Sequence, residues 1–266
     1  MEQPLILLDK FENGVAQITL NNPPFNLNTL ESTRQLSDIL DHVEADDSIR
    51  AVVLASAGTR AFCTGSDIKE FPDVSDDVIE KKLRKENETF SKFEFLSKPT
   101  IAAIDALACG GGCEITLACD IRIIAETAQM GLPEIKLGVF PGSGGLFRLP
   151  RIIGPARAME LMLRGHFISA REAERIGLVN QVVPEGQALS AALTLAEELA
   201  RQPRESVKSI KQGIRQALQS TYEENLHLTL SLSEKVFKTE DCKEGVKAFF
   251  EKRKPRFAGV STVSEE

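Results

Sequence analysis

The chain contains no CxxC pair, no HExxH and no apolar run near the ~20 residues that a membrane-spanning helix needs. Its five cysteines, at positions 63, 109, 113, 119 and 242, fall mostly on apolar segments. Their odd number and spacing exclude a disulfide framework, so reduced, buried thiols are expected. The three histidines, at 42, 166 and 227, are too scattered for a local zinc spacing, and no metal is expected. Basic charge is also short: 32 Lys+Arg against 39 Asp+Glu leave a net charge of -7. That disfavours nucleic acid as a partner, because neutralising phosphates needs a basic face. No GxGxxG follows a strand, and "PGSGG" (141–145) is neither a GxSxG elbow nor a P-loop, so a nucleotide cradle is excluded. The first residues show no basic stretch followed by an apolar one. No secretory leader and no membrane partner are expected, and the location expected is cytoplasmic.

What is present is a 266-residue chain with 42% hydrophobic residues, enough to bury a large core. "GVAQITL" (14–20) reads as a strand, with "PLILLDKF" as its hairpin partner across Glu12, Asn13 and Gly14. Leu36, Ile39, Leu40 and Val43 recur at helical spacing, and Asn28 with Glu31 three residues on resembles a capping box. "IRAVVLAS" (49–56), "TIAAID" (100–105) and "IRIIAE" (121–126) are short, β-branched and read as buried strands. Helical stretches between them predict an α/β sheet built by crossovers.

The pattern changes after about residue 185. Leu189, Ala192, Leu193, Ala196 and Leu199 form one stripe, and Pro203 interrupts it. Three further helical patterns follow, the last over "KEGVKAFFEKRKPRF" and ending at Pro255. They carry apolar stripes, among them Ile210 and Ile214, Leu226 and Leu230, and Phe249 and Phe250. One layer of helices cannot bury all of these, so a subunit interface is expected. The polar end of the chain, 259–266, reads as a disordered tail.

Glycines cluster at Gly65, Gly110–Gly112, Gly138 and "PGSGG". Ser66 and Lys69 have the SxxK spacing of a serine β-lactamase, but no SDN or KTG accompanies them, so a nucleophilic serine is disfavoured. Gly110–Gly112 sit between a strand and an apolar helix, where free N–H groups can face a ligand closely. Glu114 follows at once in an otherwise apolar run, and Glu134 follows Pro133 in a similar setting. A lone carboxylate in an apolar helix is costly to bury unless it is paired, hydrogen-bonded or protonated. Two carboxylates beside an oxyanion-binding backbone suit acid–base chemistry next to a carbonyl.

The segments "AFCTGSDIKEF", "KPTIAAIDALACGGGCEITLACDIRI", "MGLPEIKLGVFPGSGGLFRLPRIIG", "GHFISAREAERIGLVNQVVP" and "AFFEKRKPRF" resemble, in family order, the motifs of the crotonase superfamily, the enoyl-CoA hydratases and isomerases. The resemblance implies a spiral of ββα turns over 1–200 holding an acyl-CoA site. A helical trimerisation segment over 201–258 would follow, with trimers or hexamers as the assembly. It implies that the Ser66 and Gly111 N–H groups hold the thioester oxygen and that Glu114 and Glu134 are the catalytic pair. Asp67, Ile68 and Lys69 would line coenzyme A with Ser66 and Gly111, and Phe249 and Lys252 would reach it from a neighbouring subunit. The reaction implied is hydration of a 2-enoyl-CoA, with no cofactor beyond the coenzyme A of the substrate. An enoyl-CoA isomerase, another acyl-CoA enzyme of the fold, or a non-catalytic acyl-CoA-binding relative are the alternatives. Ser66 replaces a usual alanine, Ala106 and Leu107 a common Gly-Tyr pair, and Leu132 a frequent glutamine.

Overall fold

Period-2 alternation pairs the first two strands: β1 (Ile6–Lys10) runs antiparallel to β2 (Val15–Leu20), joined through the turn that ends at Gly14. The computed structural model describes residues 4–257. The expected tail over 259–266 lies outside the described residues.

Next come α1 (Leu30–Ala45), β3 (Ala51–Ser56), β4 (Ala61–Cys63) and the short α2 (Phe71–Val74). A π-helical turn over Ile79–Leu83 then leads into α3 (Arg84–Phe95). The second turn of the chain is β5 (Thr100–Ile104), β6 (Leu107–Cys109) and α4 (Gly111–Leu117). The third is β7 (Ile121–Ala125), β8 (Gln129–Gly131), α5 (Gly145–Ile153) and α6 (Pro155–Arg164). β9 (Phe167–Ser169), α7 (Ala170–Arg175) and β10 (Gln181–Val183) close the strand-bearing part.

Each turn gives its first strand to one sheet and its second strand to another. The larger sheet has six strands in the order β1-β2-β3-β5-β7-β10, and the smaller has four in the order β4-β6-β8-β9. All neighbours are parallel except β1 with β2 and β8 with β9. The result is the expected spiral of ββα turns.

Because side chains alternate along a strand, the larger sheet feeds two cores. Val52, Leu54, Ala102, Ile104 and Ile124 face the main core with α1 and α3. Ala51, Val53, Ile101, Ala103 and Ile123 face α8 (Ala188–Ala200). The buried stripe of α8 is Ala188, Ala192, Ala196 and Ala200, whereas Leu189, Leu193 and Leu199 are only half-buried at its margins. All five residues of the stripe read from the sequence therefore pack on this core, with the alanines at its centre and the leucines at its edge. The helix lies directly on β3 and β5, and side chains without a γ-carbon allow that close approach.

Two other boundaries differ from expectation. α1 is capped by Thr29 and Ser32, which bond each other's backbone N–H, and not by Asn28 and Glu31. The Asn28 backbone is drawn instead into a bridge with Ser66, accepting from Asp67 N–H and donating to Gly65 O. The helix therefore starts one residue later, and Glu31 pairs with Arg34.

At the other end, α9 (Arg204–Ala217), α10 (Tyr222–Phe237) and α11 (Glu240–Phe250) form the helical region. α11 stops at Phe250, short of Pro255. Lys252 takes a φ of 55°, and Glu244 accepts from Arg253 and from the Arg256 N–H, so the chain reverses before the proline. Lys211 fastens α9 to the core, donating to Asp120 and to Lys98 O.

Candidate active site

The loop at Gly65–Ser66 and the start of α4 are pressed together. A Cβ added to Gly65 would lie 3.0 Å from the Gly111 nitrogen, and one added to Gly111 would lie 2.8 Å from Asn28 Nδ2 and 3.8 Å from the Ser66 nitrogen. Gly65 and Gly110 both have positive φ, 86° and 56°, where a side chain would be strained. Among the described residues, no acceptor meets the N–H of Ser66 or of Gly111, while the neighbouring Gly110 N–H is bound by Gly131 O. Two unpaired amides therefore share one small space. Asn28 Nδ2, also without a hydrogen-bond partner, lies against it.

Glu114, in the first turn of α4, is 2% exposed. Its Oε1 accepts from the Ser143 and Gly145 N–H groups, each at 2.8 Å. A Cβ on Gly145 would come within 3.1 Å of that oxygen, so the glycine there leaves room for the carboxylate. Burial pushes the Glu114 carboxyl up to about 8, and the charges of Glu134 and Glu86 add to the rise against the two N–H bonds.

Glu134 opens the single 3-10 turn Glu134–Leu137 after β8. Both of its carboxylate oxygens are buried without a hydrogen-bond partner, and a Cβ on Gly110 would sit 3.5 Å from Oε1. Burial pushes this carboxyl up to about 7. The two carboxylates thus flank the glycines that open α4, and both hold protons more tightly than ordinary glutamates.

Such an arrangement can bind an anionic or partly anionic oxygen at the amides. It can also give one proton and take another beside that oxygen. A sequence model described as enoyl-CoA hydratase/isomerase matches residues 10–260. The chain belongs to the enoyl-CoA hydratase/isomerase family. It is 38% identical to a probable enoyl-CoA hydratase of Bacillus subtilis over 96% of this chain and 98% of that one. It is also 38% identical to a short-chain-enoyl-CoA hydratase of Clostridium acetobutylicum, over 96% and 97% of the two chains. The crystal structure of an enoyl-CoA hydratase from Bacillus anthracis superposes with a TM-score of 0.92 at 38% identity, covering 96% of this chain and 99% of that one.

Within this enoyl-CoA hydratase/isomerase chain, the residues named from the sequence fall into two groups. Ser66, Gly111, Glu114 and Glu134 come together from three turns of the spiral. Asp67 caps the short 3-10 turn Ile68–Glu70 by accepting from the Lys69 N–H, which leaves Ile68 and Lys69 exposed beside Ser66. No contact among the described residues joins the Lys69 side chain to the Ser66 hydroxyl. Phe249 and Lys252 lie on and just beyond α11, which packs on α10.

Leu132 is fully buried in the main core. The thiols of Cys109 and Cys113, near Glu134, are free and buried, and burial raises the pKa of both, Cys109 to about 11.

The structure adds residues that the sequence reading missed. Ser143 Oγ donates to Glu86 Oε2 at 2.6 Å, and Glu86 and Lys82 are each 2% exposed. In "KKLRKENE" these two look like part of a solvated charge run. Their i,i+4 spacing is a signal of pairing with each other, but nothing local marks them as buried.

Proposed function

We propose that this protein is an enoyl-CoA hydratase, adding water reversibly across the double bond of a 2-enoyl-CoA thioester to give the 3-hydroxyacyl-CoA. The observation that carries the reading is the pair of buried, proton-retaining carboxylates beside the unpaired Ser66 and Gly111 amides. The curated relatives named hydratase support it. On this reading the two amides donate to the thioester oxygen. Glu114 and Glu134 hold one water between them. One carboxylate takes a proton from the water as its oxygen bonds to Cβ. The electron pair of the double bond moves to Cα, and the thioester oxygen carries enolate charge, which the amides stabilise chiefly in the transition state. The other carboxyl delivers its proton to Cα. Water is consumed whole, and the carboxyl pair ends with the one proton it began with. Burial raises both carboxyls toward neutral pH, so the pair can hold a shared proton there, as this exchange requires. Oε1 of Glu114 accepts two N–H groups, so its proton is carried by Oε2.

Coenzyme A enters as part of the substrate and no separate cofactor is needed. Asp67, Ile68 and Lys69 are placed along it, next to the Ser66 amide. The segment 1–200 forms the catalytic core and 201–258 the assembly segment of a homotrimer or hexamer. In that assembly Phe249 and Lys252 reach the coenzyme A of a neighbouring subunit, and the exposed positions of both residues support this.

The direct test is the loss of conjugated enoyl absorbance when the protein meets crotonyl-CoA. Glu114→Gln and Glu134→Gln are each expected to slow it by at least ~10²-fold while still binding a CoA thioester. Near-normal turnover in either variant removes the two-carboxylate mechanism. Turnover of a 3-enoyl-CoA without hydration of the 2-enoyl isomer would assign the isomerase reaction instead.

A further inference from the structure

The loop 142–145 that grips Glu114 is itself gripped from the other side by α3. Ser143 Oγ donates to Glu86 Oε2 at 2.6 Å, a short, charge-assisted bond. The next residue, Asn87, donates from Nδ2 to Gly142 O at 2.7 Å. Arg148 on α5 completes the hold: its Nε meets Glu94 Oε2 at 2.9 Å, its Nη2 meets Ser91 Oγ at 2.8 Å, and its Nη1 reaches Ser143 O at 3.4 Å. Behind Glu86 stands Lys82, whose Nζ is 3.0 Å from Glu86 Oε1 and 3.6 Å from Glu70 Oε2. These are ionic contacts without hydrogen-bond alignment. A buried ion pair such as Lys82–Glu86 can often be replaced by apolar residues without loss of stability, so packing alone is a poor reason for its presence.

We propose that Glu86, with Lys82 as its counter-charge, is a positioning residue for Glu114. It acts through the Ser143 hydroxyl to fix the loop whose Ser143 and Gly145 N–H groups hold the Glu114 carboxyl. This rests on the hydratase reading, in which Glu114 is one of the two acid–base groups. Ser143 is the hinge of the device. Its side chain answers to Glu86 and its backbone to Glu114, so a shift at one carboxylate is felt at the other. Glu86 also acts through space, since its negative charge favours the protonated form of Glu114. The other titratable or charged groups around Glu114 are Glu134 from the turn after β8, Arg148 from α5 and Cys113 on α4; Arg122 of β7 stands further off, donating to the Thr116 and Cys119 carbonyls at the far end of α4.

The hydroxyl link and the charge can be separated. Glu86→Gln removes the charge but keeps an oxygen that accepts from Ser143. Ser143→Ala removes the link, keeps the charge and keeps the backbone N–H. In ¹³C-glutamate-labelled protein, the Glu114 carboxyl signal can be assigned by its loss in Glu114→Gln. Its titration is expected to move to lower pH in Glu86→Gln, where repulsion is lost. It is expected to move to higher pH in Ser143→Ala, where the N–H bonds to the ionised form loosen. In crotonyl-CoA hydration, Glu86→Ala and Ser143→Ala should lower kcat about tenfold. KM should stay within about twofold, and Glu86→Gln should restore most of the rate. Should Glu86→Ala fail to fold, Ser143→Ala, which deletes a single oxygen, carries the test. A Glu114 titration that stays in place in both Glu86→Gln and Ser143→Ala overturns the proposal, whether or not the wild type turns over crotonyl-CoA. Opposite shifts in a protein that does not hydrate crotonyl-CoA support it and overturn only the hydratase reading.

Discussion

The carboxylate cluster and the C-terminal helices invert the usual layout in opposite senses. Around α4 the protein buries charge: Glu114, Glu86 and Lys82 are each 2% exposed. Along α9 to α11 it exposes grease: Ile214 is 66% exposed, Leu230 62%, Phe249 79% and Phe250 78%. Inside, the departure is compensated locally by N–H groups, a counter-ion and retained protons, and it creates chemistry. Outside, nothing among the described residues compensates it, and apolar side chains exposed to this extent are what the proposed assembly would cover. One region is compensated within the chain; the other is where the proposed assembly would supply the compensation.

That contrast can be broken at three points, in descending order of effect. The first is the amide of Ser66. Ser66→Pro removes the N–H and should cut crotonyl-CoA turnover by roughly 10²–10³-fold, whereas Ser66→Ala keeps the N–H and should remain near wild type. If Ser66→Ala eliminated turnover, the hydroxyl would be the reactive group and the pairing with Lys69 would return as the explanation.

The second is the unpartnered face. Light scattering should give three or six times the 29.2 kDa of one chain. Truncation after Arg201 should cost both that mass and affinity for the CoA thioester. A monomer would close the contrast, because the exposed stripes would then serve no assembly and Lys252 would have no neighbour to reach.

The third and smallest concerns the cost of the buried acids. Burial pushes the Glu114 carboxyl up to about 8, from about 4.5 for a freely solvated glutamate. Below about pH 4.5 both folded and unfolded chains hold the proton, and the burial is not penalised. As pH rises toward 8 the unfolded chain ionises freely and the folded one does not, so stability falls, by a few kcal/mol in order of magnitude. Glu134 adds a penalty of the same sign, rising toward pH 7. Glu114→Gln should therefore melt higher than wild type at pH 8.5, by roughly 5 °C, with the difference closing near pH 4.5. Equal melting curves at both pH values would mean that the carboxyl is not held in a protonated, buried state.

The same two regions show what a sequence can and cannot disclose. The strands over 51–56, 100–104 and 121–125 are legible because each is a continuous buried run, and the helices because their apolar positions recur over several turns. The smaller sheet is not. β4, β6, β8 and β9 have three residues each, too few for any periodicity, and they exist only because the spiral stacks them. Glu114 and Glu134 stand out as lone acids among apolar neighbours beside glycine clusters. Lys82 and Glu86 do not, because a charged helix turns inward only when a distant loop, here 142–145, closes over it. Asn28 misled for a related reason: its cap-like position is overridden by a bridge to Ser66, 38 residues downstream.

The spiral also ties the site to the history of the chain. Asn28 and Ser66 come from the first turn, Gly111 and Glu114 from the second, Glu134 and Ser143 from the third. No fragment that ends before the third turn holds a working centre, and no single turn can open without dissolving it. Contacts so distant in sequence are slow to form. The proposed reactive geometry therefore exists only once all three turns are stacked, and a chain short of that closure lacks the groups in place to react.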